Sequence, residues 1–325
     1  MHGDERRGAA YGFLAYALWG AFPLYFAALR PAGAWEILSH RILWTLLLCA
    51  SVLVARRDLR WLLQLRDRPR LALGVAAAAL LIAGNWVIYV AAVLNGHTTE
   101  AALGYFLNPI VTVALGVAVL RERLRPLQWA AVAIGAAAGI YLSVAAGSVP
   151  VIALSLACTF GLYGLVKKKV GASLEAMQSL TAETLVLAPI AVATLALLTT
   201  RGSTTFTTGG GGHTALLALS GIATATPLLL FAAAARRVPL VTIGLLQFVT
   251  PVLQLLCGVL LLDEHMSAQR WGGFAIVWLA LAVLTVDSIR HWPRRRGAAA
   301  EQAERARGVI PSGVDGEPFR TLRGR

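Results

Sequence analysis

The side chains that could do chemistry are sparse in this chain, and three of them open the apolar segment 35–54. Glu36 and His40 stand four residues apart and therefore share one face of a helix, with Arg41 beside them. Arg41 lies about six residues, or roughly 9 Å, into that helix. An arginine near the centre of a membrane helix costs about 2.5–3.5 kcal/mol on insertion scales, so such a residue usually faces the protein interior and pairs with another group.

Glu183 is the acidic residue that stands well inside the apolar segment 174–198, and it follows Arg41 by 142 residues. We expect the two residues to form the charged pair of the protein. Three roles stay open for these charges. They could form a structural ion pair between two halves of the chain, couple to a substrate or a proton, or reach the membrane surface without a partner.

Other polar residues within apolar segments are candidates for lining a solute pathway. Asn85 brings an amide into hydrocarbon, where it must hydrogen bond, either to a neighbouring helix or in a cavity. Prolines inside such segments remove backbone hydrogen bonds and free carbonyl groups, which either line a pathway or only shape the bundle. The candidate pathway residues are Arg41, Glu183, Asn85, Tyr89, Tyr105, Asn108, Gln247 and His40, and the predicted helix breaks are Pro23, Pro109 and Pro251.

The sequence lacks the patterns of a metalloprotein or an enzyme. Its three cysteines fall in three different apolar segments, and no histidine stands at metal-ligand spacing to another. Clustered carboxylates of a membrane-embedded enzyme are not found, and neither is a GxxxxGK[ST] phosphate loop. We therefore predict no metal, no cofactor and no catalytic residue.

Composition predicts that a membrane surrounds most of this chain. The 325 residues are 58% hydrophobic and 14% charged, whereas soluble proteins carry roughly 25% charge. About 20 apolar residues cross a bilayer as a helix, and the sequence holds ten such segments. They are approximately 11–29, 35–54, 71–94, 101–120, 127–145, 149–166, 174–198, 214–235, 241–262 and 271–289.

The net charge of +13 reflects topology rather than nucleic-acid binding. With a cytoplasmic N-terminus, 25 of the 29 lysines and arginines fall in cytoplasmic segments. The positive-inside rule then predicts that both termini are cytoplasmic. The partners we predict are a small-molecule substrate and the lipid bilayer, with no nucleic acid and with a homodimer left open.

A repeat at a constant offset of 142 residues divides the chain into two halves. The identical pairs in register are Phe106 and Phe248, Pro109 and Pro251, Gly116 and Gly258, Leu120 and Leu262, Glu122 and Glu264, and Trp129 and Trp271. Each half holds five apolar segments, an odd number, so the second half must enter the membrane upside down. Inverted repeats are a recurring design of secondary transporters, with the substrate between the repeats; a duplicated bundle without transport is the other interpretation.

The motifs resemble those of the RarD-type permeases, in the EamA branch of the drug/metabolite transporter superfamily. They are residues 18–26 (LWGAFPLYF), 36–41 (EILSHR), 95–97 (NGH), 103–109 (LGYFLNP) and 244–248 (GLLQF). The resemblance covers nearly all of residues 9–288. It implies ten helices in two inverted EamA-type repeats and the export or exchange of small metabolites or drugs across a bacterial cytoplasmic membrane.

The predicted fold is thus an all-α integral membrane protein of ten transmembrane helices in two inverted five-helix repeats. We predict a cytoplasmic N-terminus at 1–10, a first repeat at 11–145, a second at 149–289 and a disordered basic cytoplasmic tail at 290–325. The predicted function is a secondary transporter that moves small metabolites or drugs by alternating access. The alternative is a lipid flippase or a membrane scaffold without transport activity.

Overall fold

The structure is a computed structural model that describes residues 2–121, 124–146, 149–170, 173–235, 237–238 and 246–306. Regular structure within these ranges is helical, without a strand. The helices are α1 His2–Gly20, α2 Phe22–Ala28, α3 Ala34–Ala55, α4 Arg60–Asp67, α5 Pro69–Leu94, α6 Thr98–Leu120, α7 Pro126–Ala146, α8 Val151–Val170, α9 Ala176–Thr200, α10 Gly210–Ala235, α11 Val249–Leu256 and α12 Ala268–Ala306, with a π-helical segment Cys257–Leu261 continuing α11.

Eight of the described helical stretches are long and apolar enough to cross a membrane, and α1 and α2 together make up the first of them. Two shorter apolar helices, Val151–Lys167 and Val249–Leu261, occupy places where the sequence predicts further spans. The first is followed in the sequence by Lys168 and Lys169. Residues 239–245, before the second, lie outside the described residues.

The surface of the bundle is apolar, as a lipid environment requires. Large hydrophobic side chains such as Leu73, Val144 and Leu260 are exposed, at 71%, 78% and 65%. Backbone polar groups cannot be left unpaired in hydrocarbon, and helices satisfy them internally. Helical structure together with these apolar surfaces makes the chain a multi-pass membrane protein.

The most extensive helix contacts join the first half of the chain to the second. Helices α3 and α9, α6 and α11, and α7 and α12 pack as pairs. The other contacts between the halves come in equivalent pairs. Helix α1 packs on α10 and α11, and the equivalent helix α8 packs on α5 and α6. Helix α3 packs on α10, and the equivalent helix α9 packs on α5. Exchanging each helix for its partner at the 142-residue offset therefore leaves this pattern unchanged.

The three prolines predicted to break helices behave differently. Pro23 stands in the first turn of α2, directly after the chain leaves α1 at Ala21. Pro251 stands in the first turn of α11, where its missing N–H has no helical partner to lose. The break expected at Pro109 is not formed, since α6 runs through it without interruption. A membrane helix tolerates such a proline when its neighbours satisfy the freed backbone groups.

The last helix extends past the boundary at which the sequence predicts a disordered tail. The backbone of α12 is helical to Ala306, so residues 290–306 continue the helix rather than leaving it. The remainder of that predicted tail, 307–325, lies outside the described residues.

Candidate functional site

Arg41 is buried in the middle of the bundle, where it is 3% exposed. Its Nε donates a hydrogen bond to Thr224 Oγ1 on α10, at 3.2 Å. Its guanidinium carbon lies 4.4 Å from the ring centroid of Trp86, 5.2 Å from that of Phe26 and 5.6 Å from that of Phe22. The Nη1 atom is buried without a hydrogen-bond partner. Aromatic faces attract a cation, but they do not replace acceptors for its N–H groups.

Three tyrosines complete the surroundings of Arg41. The side chains of Tyr25, Tyr89 and Tyr105 lie near the guanidinium. The rings of Tyr89 and Tyr105 are in edge contact, with centroids 5.4 Å apart. We call this set of residues the arginine site: Arg41, Thr224, Phe22, Phe26, Trp86, Tyr25, Tyr89 and Tyr105. Helices α2, α3, α5, α6 and α10 contribute to it, so both halves of the chain build it.

The tyrosine hydroxyls differ in their partners. Tyr25 donates to the backbone carbonyl of Leu216 at 2.7 Å, and Tyr105 donates to Asn85 Oδ1 at 3.3 Å. The hydroxyl of Tyr89 is buried beside the amide of Gln254. The unsatisfied polar group of the arginine site is the Nη1 group of Arg41.

Asn85 joins the two halves of the chain. Its Nδ2 donates to the carbonyl of Leu156 at 3.0 Å and to Thr159 Oγ1 at 2.9 Å, both on α8. Its Oδ1 accepts from Tyr105. The amide is thus used for interhelical hydrogen bonding, and it positions a tyrosine of the arginine site.

Gln254 on α11 is a site residue that the sequence reasoning missed. It is 2% exposed and lies beside the Tyr89 hydroxyl. Its Nε2 donates to the carbonyl of Trp19 at 3.3 Å, whereas its Oε1 has no partner. The available signal was an amide in the apolar stretch that follows Pro251, since such side chains must find partners in hydrocarbon.

The expected pair of Arg41 and Glu183 is not formed in this structure. Lys167 Nζ lies 2.5 Å from Glu183 Oε1, and Ser179 Oγ donates to the same oxygen at 3.1 Å. Tyr163 donates to Glu183 Oε2 at 3.3 Å. Glu183 is therefore paired with a lysine of the adjacent helix α8.

Asn108 on α6 and Gln247 before α11 are the two remaining candidate pathway residues. Asn108 is partly buried with its Oδ1 unpartnered, and Gln247 is partly buried in the turn before α11. Neither residue hydrogen bonds to Arg41 or shares an electrostatic contact with it within the described part of the chain. Both stay predictions as pathway residues.

His40 belongs to a cluster that closes the face of the bundle where α3 begins. The Glu36 carboxylate, 1% exposed, accepts from the backbone N–H groups of Thr205 and Phe206 at 2.7 and 3.1 Å. It also accepts from Thr205 Oγ1 at 2.9 Å. The His40 ring stacks on Phe206, with centroids 4.6 Å apart. The loop between α9 and α10 is thereby held on the start of α3.

Two further carboxylates make similar contacts on the same face. Glu264 accepts from the N–H groups of Thr98 and Thr99, at 2.5 and 2.7 Å, at the start of α6. Glu100 accepts from the N–H of Ile152 at 3.1 Å, at the start of α8. A carboxylate at a helix N-terminus is stabilised by the unpaired N–H groups and the helix dipole. We call the contacts of Glu36, Glu264 and Glu100 the carboxylate lock; each crosses from one half to the other.

The opposite face of the bundle carries a pocket of about 480 Å³ between α1, α3, α9 and α10. Charged groups surround it, and two of them, Asp4 and Arg237, form an ion pair at 3.2 Å. The lining residues are Asp4, Arg56, Glu175, Ala176, Met177, Leu229, Ala232, Ala233 and Arg237. Within the described residues, no group of three or more histidine, cysteine, aspartate or glutamate side chains could hold a metal ion.

The model of the EamA-like transporter family matches this chain twice, over residues 6–145 and 148–286. The chain belongs to the EamA-like transporter family. This membership, with the apolar helices described above, indicates a membrane transporter rather than an enzyme, and it confirms the resemblance drawn from the motifs.

Relatives of the family cover nearly the whole chain. Protein RarD of Streptomyces exfoliatus is 45% identical over 90% of this chain and 92% of its own. An uncharacterized transporter of Pseudomonas aeruginosa is also 45% identical, over 88% and 95%, and protein RarD of Escherichia coli is 37% identical over 88% and 96%. A solved structure titled "Crystal structure of protein" is 18% identical with a TM-score of 0.58, over 87% of this chain and 98% of that one; it shares the fold.

Proposed function

We propose that this protein is a secondary transporter that moves a small organic solute across the bacterial cytoplasmic membrane by alternating access. The solute binds at the arginine site, between two inverted halves of five helices each, and both termini are cytoplasmic. The observation that carries the proposal is the buried guanidinium with a free N–H, enclosed by helices of both halves. An unsatisfied charge at such a place is costly unless a ligand uses it.

The matched helix contacts support the inverted arrangement. The largest contacts join the halves and are unchanged when the halves are exchanged, as a two-fold axis in the membrane plane requires. Two similar halves that meet at one site can rock against each other and open that site to either side. The distribution of lysine and arginine supports the direction in which the chain is inserted.

The two faces of the bundle support the assignment of one transport state. The carboxylate lock closes the face where α3 and α6 begin, which is the outer face by the charge distribution. The pocket opens on the other face. We infer that this conformation is closed to the outside, and that the outward-open state requires the loop after α9 and the start of α6 to leave their carboxylates.

Transport needs no nucleotide in this proposal, because the sequence has no phosphate-binding loop. The driving force is an ion gradient or the gradient of the solute itself. A proton-coupling role of Glu183 is a separate hypothesis, in which protonation would break its pair with Lys167. Full pH-driven uptake by a Glu183→Gln protein would eliminate that hypothesis.

The test is transport by the purified full-length protein in liposomes. Radiolabelled amino acids, nucleosides, amphenicols and small carboxylates are offered, with and without a pH gradient, and exchange is measured in vesicles preloaded with unlabelled solute. Uptake or exchange above protein-free vesicles supports a transporter. A folded protein without flux of any solute class refutes the proposal, and scrambling of a fluorescent lipid, measured by dithionite quenching, would then identify a flippase.

A further inference from the structure

We propose that the solute is a small aromatic or apolar carboxylate, and that the Nη1 edge of Arg41 binds its carboxylate group. This inference rests on the proposed function, since it assigns the substrate class of the same site. The arginine site combines an unpaired Nη1 group of Arg41 with surrounding aromatic rings.

No carboxylate of the described residues pairs with Arg41. The two buried glutamates on the helices around it are used elsewhere. Glu36 accepts three hydrogen bonds from Thr205 and Phe206, and Glu183 is paired with Lys167. Arg41 therefore keeps a full positive charge without a counter-charge, in a place where burying an unpaired ion is strongly unfavourable.

The second half of the chain compensates its buried charge with an ion pair, whereas the first half does not. At the 142-residue offset, Arg41 corresponds to Glu183 and Tyr25 corresponds to Lys167. In the second half the two positions hold opposite charges and form an ion pair. In the first half they hold an arginine and a tyrosine, whose hydroxyl donates to the carbonyl of Leu216. The Lys167 and Glu183 pair in the second half is thus electrically neutral. The equivalent residues of the first half, Tyr25 and Arg41, carry a net charge of +1.

The geometry around Arg41 fits a carboxylate as the missing charge. The rings of Phe22, Phe26 and Trp86 surround the guanidinium, and Thr224 takes the Nε hydrogen. The Nη1 group remains for an acceptor. A planar carboxylate binds the edge of a guanidinium through strong charge-assisted hydrogen bonds. The aromatic residues then supply apolar contact for the rest of the solute.

A structural arginine would be satisfied within the protein. Buried polar groups are nearly always hydrogen bonded, and the buried carboxylate of Glu183 has three such partners: Lys167, Ser179 and Tyr163. The unused Nη1 of Arg41 points instead to a ligand.

The test compares three molecules of similar shape and different charge: phenylacetate, phenylacetamide and phenethylamine. Binding of each to the full-length protein in lipid nanodiscs is measured by scintillation proximity with radiolabelled probe. We expect phenylacetate to bind at least about tenfold more tightly than the amide, from the charge-assisted bonds it gains, and the amine to bind more weakly than both. Arg41→Gln removes the preference, and Arg41→Lys keeps part of it.

The matched control is Arg201→Gln, which removes one positive charge from the exposed loop after α9 and should leave binding unchanged. Size-exclusion profiles and thermal unfolding establish that each variant is folded. Equal or tighter binding of the amide or the amine overturns the inference. So does a carboxylate preference that survives in folded Arg41→Gln, or no binding of any carboxylate in a panel extended to benzoate, phenylpropionate and hexanoate.

Failure of the inference is distinguishable from failure of the proposed function. Carboxylate binding that depends on Arg41 without flux in liposomes supports the site and refutes transport. Flux of neutral or cationic solutes without a preference for carboxylates supports transport and refutes the assigned substrate class.

Discussion

Removing Lys167 should destabilise the protein far more than removing its partner Glu183. The Glu183 side chain is 4% exposed, whereas that of Lys167 is 31% exposed. Lys167→Met leaves a buried carboxylate whose remaining donors are Ser179 and Tyr163. Breaking a buried pair costs about 3–5 kcal/mol, and the two remaining hydrogen bonds place the expected loss near the lower end, at about 3 kcal/mol.

The opposite substitution, Glu183→Gln, leaves a lysine that can reach water or lipid headgroups. We expect it to cost about 1 kcal/mol, as for partly exposed ion pairs. The stability of the double variant Lys167→Met/Glu183→Gln should equal that of Glu183→Gln, because the double variant has no unpaired carboxylate. The change in unfolding midpoint, at about 2–4 °C for each kcal/mol, separates the variants in a thermal scan of the detergent-solubilised protein.

This asymmetry is what tests the structure. Equal losses in the two single variants, or losses that add in the double variant, would contradict the pairing of Lys167 with Glu183. In that case the two residues do not share an interaction, and Glu183 would again be free to pair with Arg41. Lys168 and Lys169 should not be replaced in the same proteins, so that the number of lysines at 167–169 changes by one only.

Three further predictions concern the lock, the packing and the topology. Glu36→Gln weakens the charge-assisted hydrogen bonds that hold the loop after α9, which are worth about 1.5–3 kcal/mol each. The substitution should therefore increase the labelling of a cysteine introduced at Ser39 by a membrane-impermeant maleimide added from outside. Unchanged labelling would show that Glu36 does not hold this face closed. Gly221→Ala places a Cβ 2.5 Å from the backbone of Trp44 and should lower the free energy of unfolding by about 1–3 kcal/mol. Gly84→Ala meets nothing within 4 Å and should leave the stability unchanged or raise it by up to about 1 kcal/mol. Equal effects of the two substitutions in thermal scans would contradict the close approach of α3 and α10. A green fluorescent protein fused to the C-terminus should fluoresce, and alkaline phosphatase inserted in the loop after α9 should be active; the reverse pattern would refute the proposed orientation.

The sequence alone predicts the helical membrane architecture and several site residues, because apolar length and buried charge are local signals. Arg41 stands out by its depth in an apolar segment, and the structure buries it. Its neighbours Thr224 and Trp86 come from helices distant in sequence. Which helix faces which depends on packing of the whole bundle, and a single sequence carries no direct signal for it.

The sequence-based predictions that were wrong also concern contacts between helices. The repeat suggested a pair between Arg41 and Glu183, but Glu183 pairs with Lys167 on the adjacent helix α8, and the 142-residue offset carries no information about that contact. Pro109 was expected to break α6, but the helix continues through it. A membrane helix tolerates a proline when neighbouring groups hydrogen bond to the backbone groups that the proline leaves free. Gln254 was missed although it stands three residues after Pro251, because the sequence does not tell which amide of this stretch faces the interior of the bundle.

The interleaved packing of the two halves determines how the protein can be made. Since the largest helix contacts join one half to the other, the first half leaves the ribosome without most of its neighbours. Arg41 and Asn85 must enter the bilayer before Thr224 and the carbonyl of Leu156 exist to receive them. Assembly must therefore finish late, after α10 is inserted, and until then the nascent chain carries polar groups that the insertion machinery or bound lipids have to shelter.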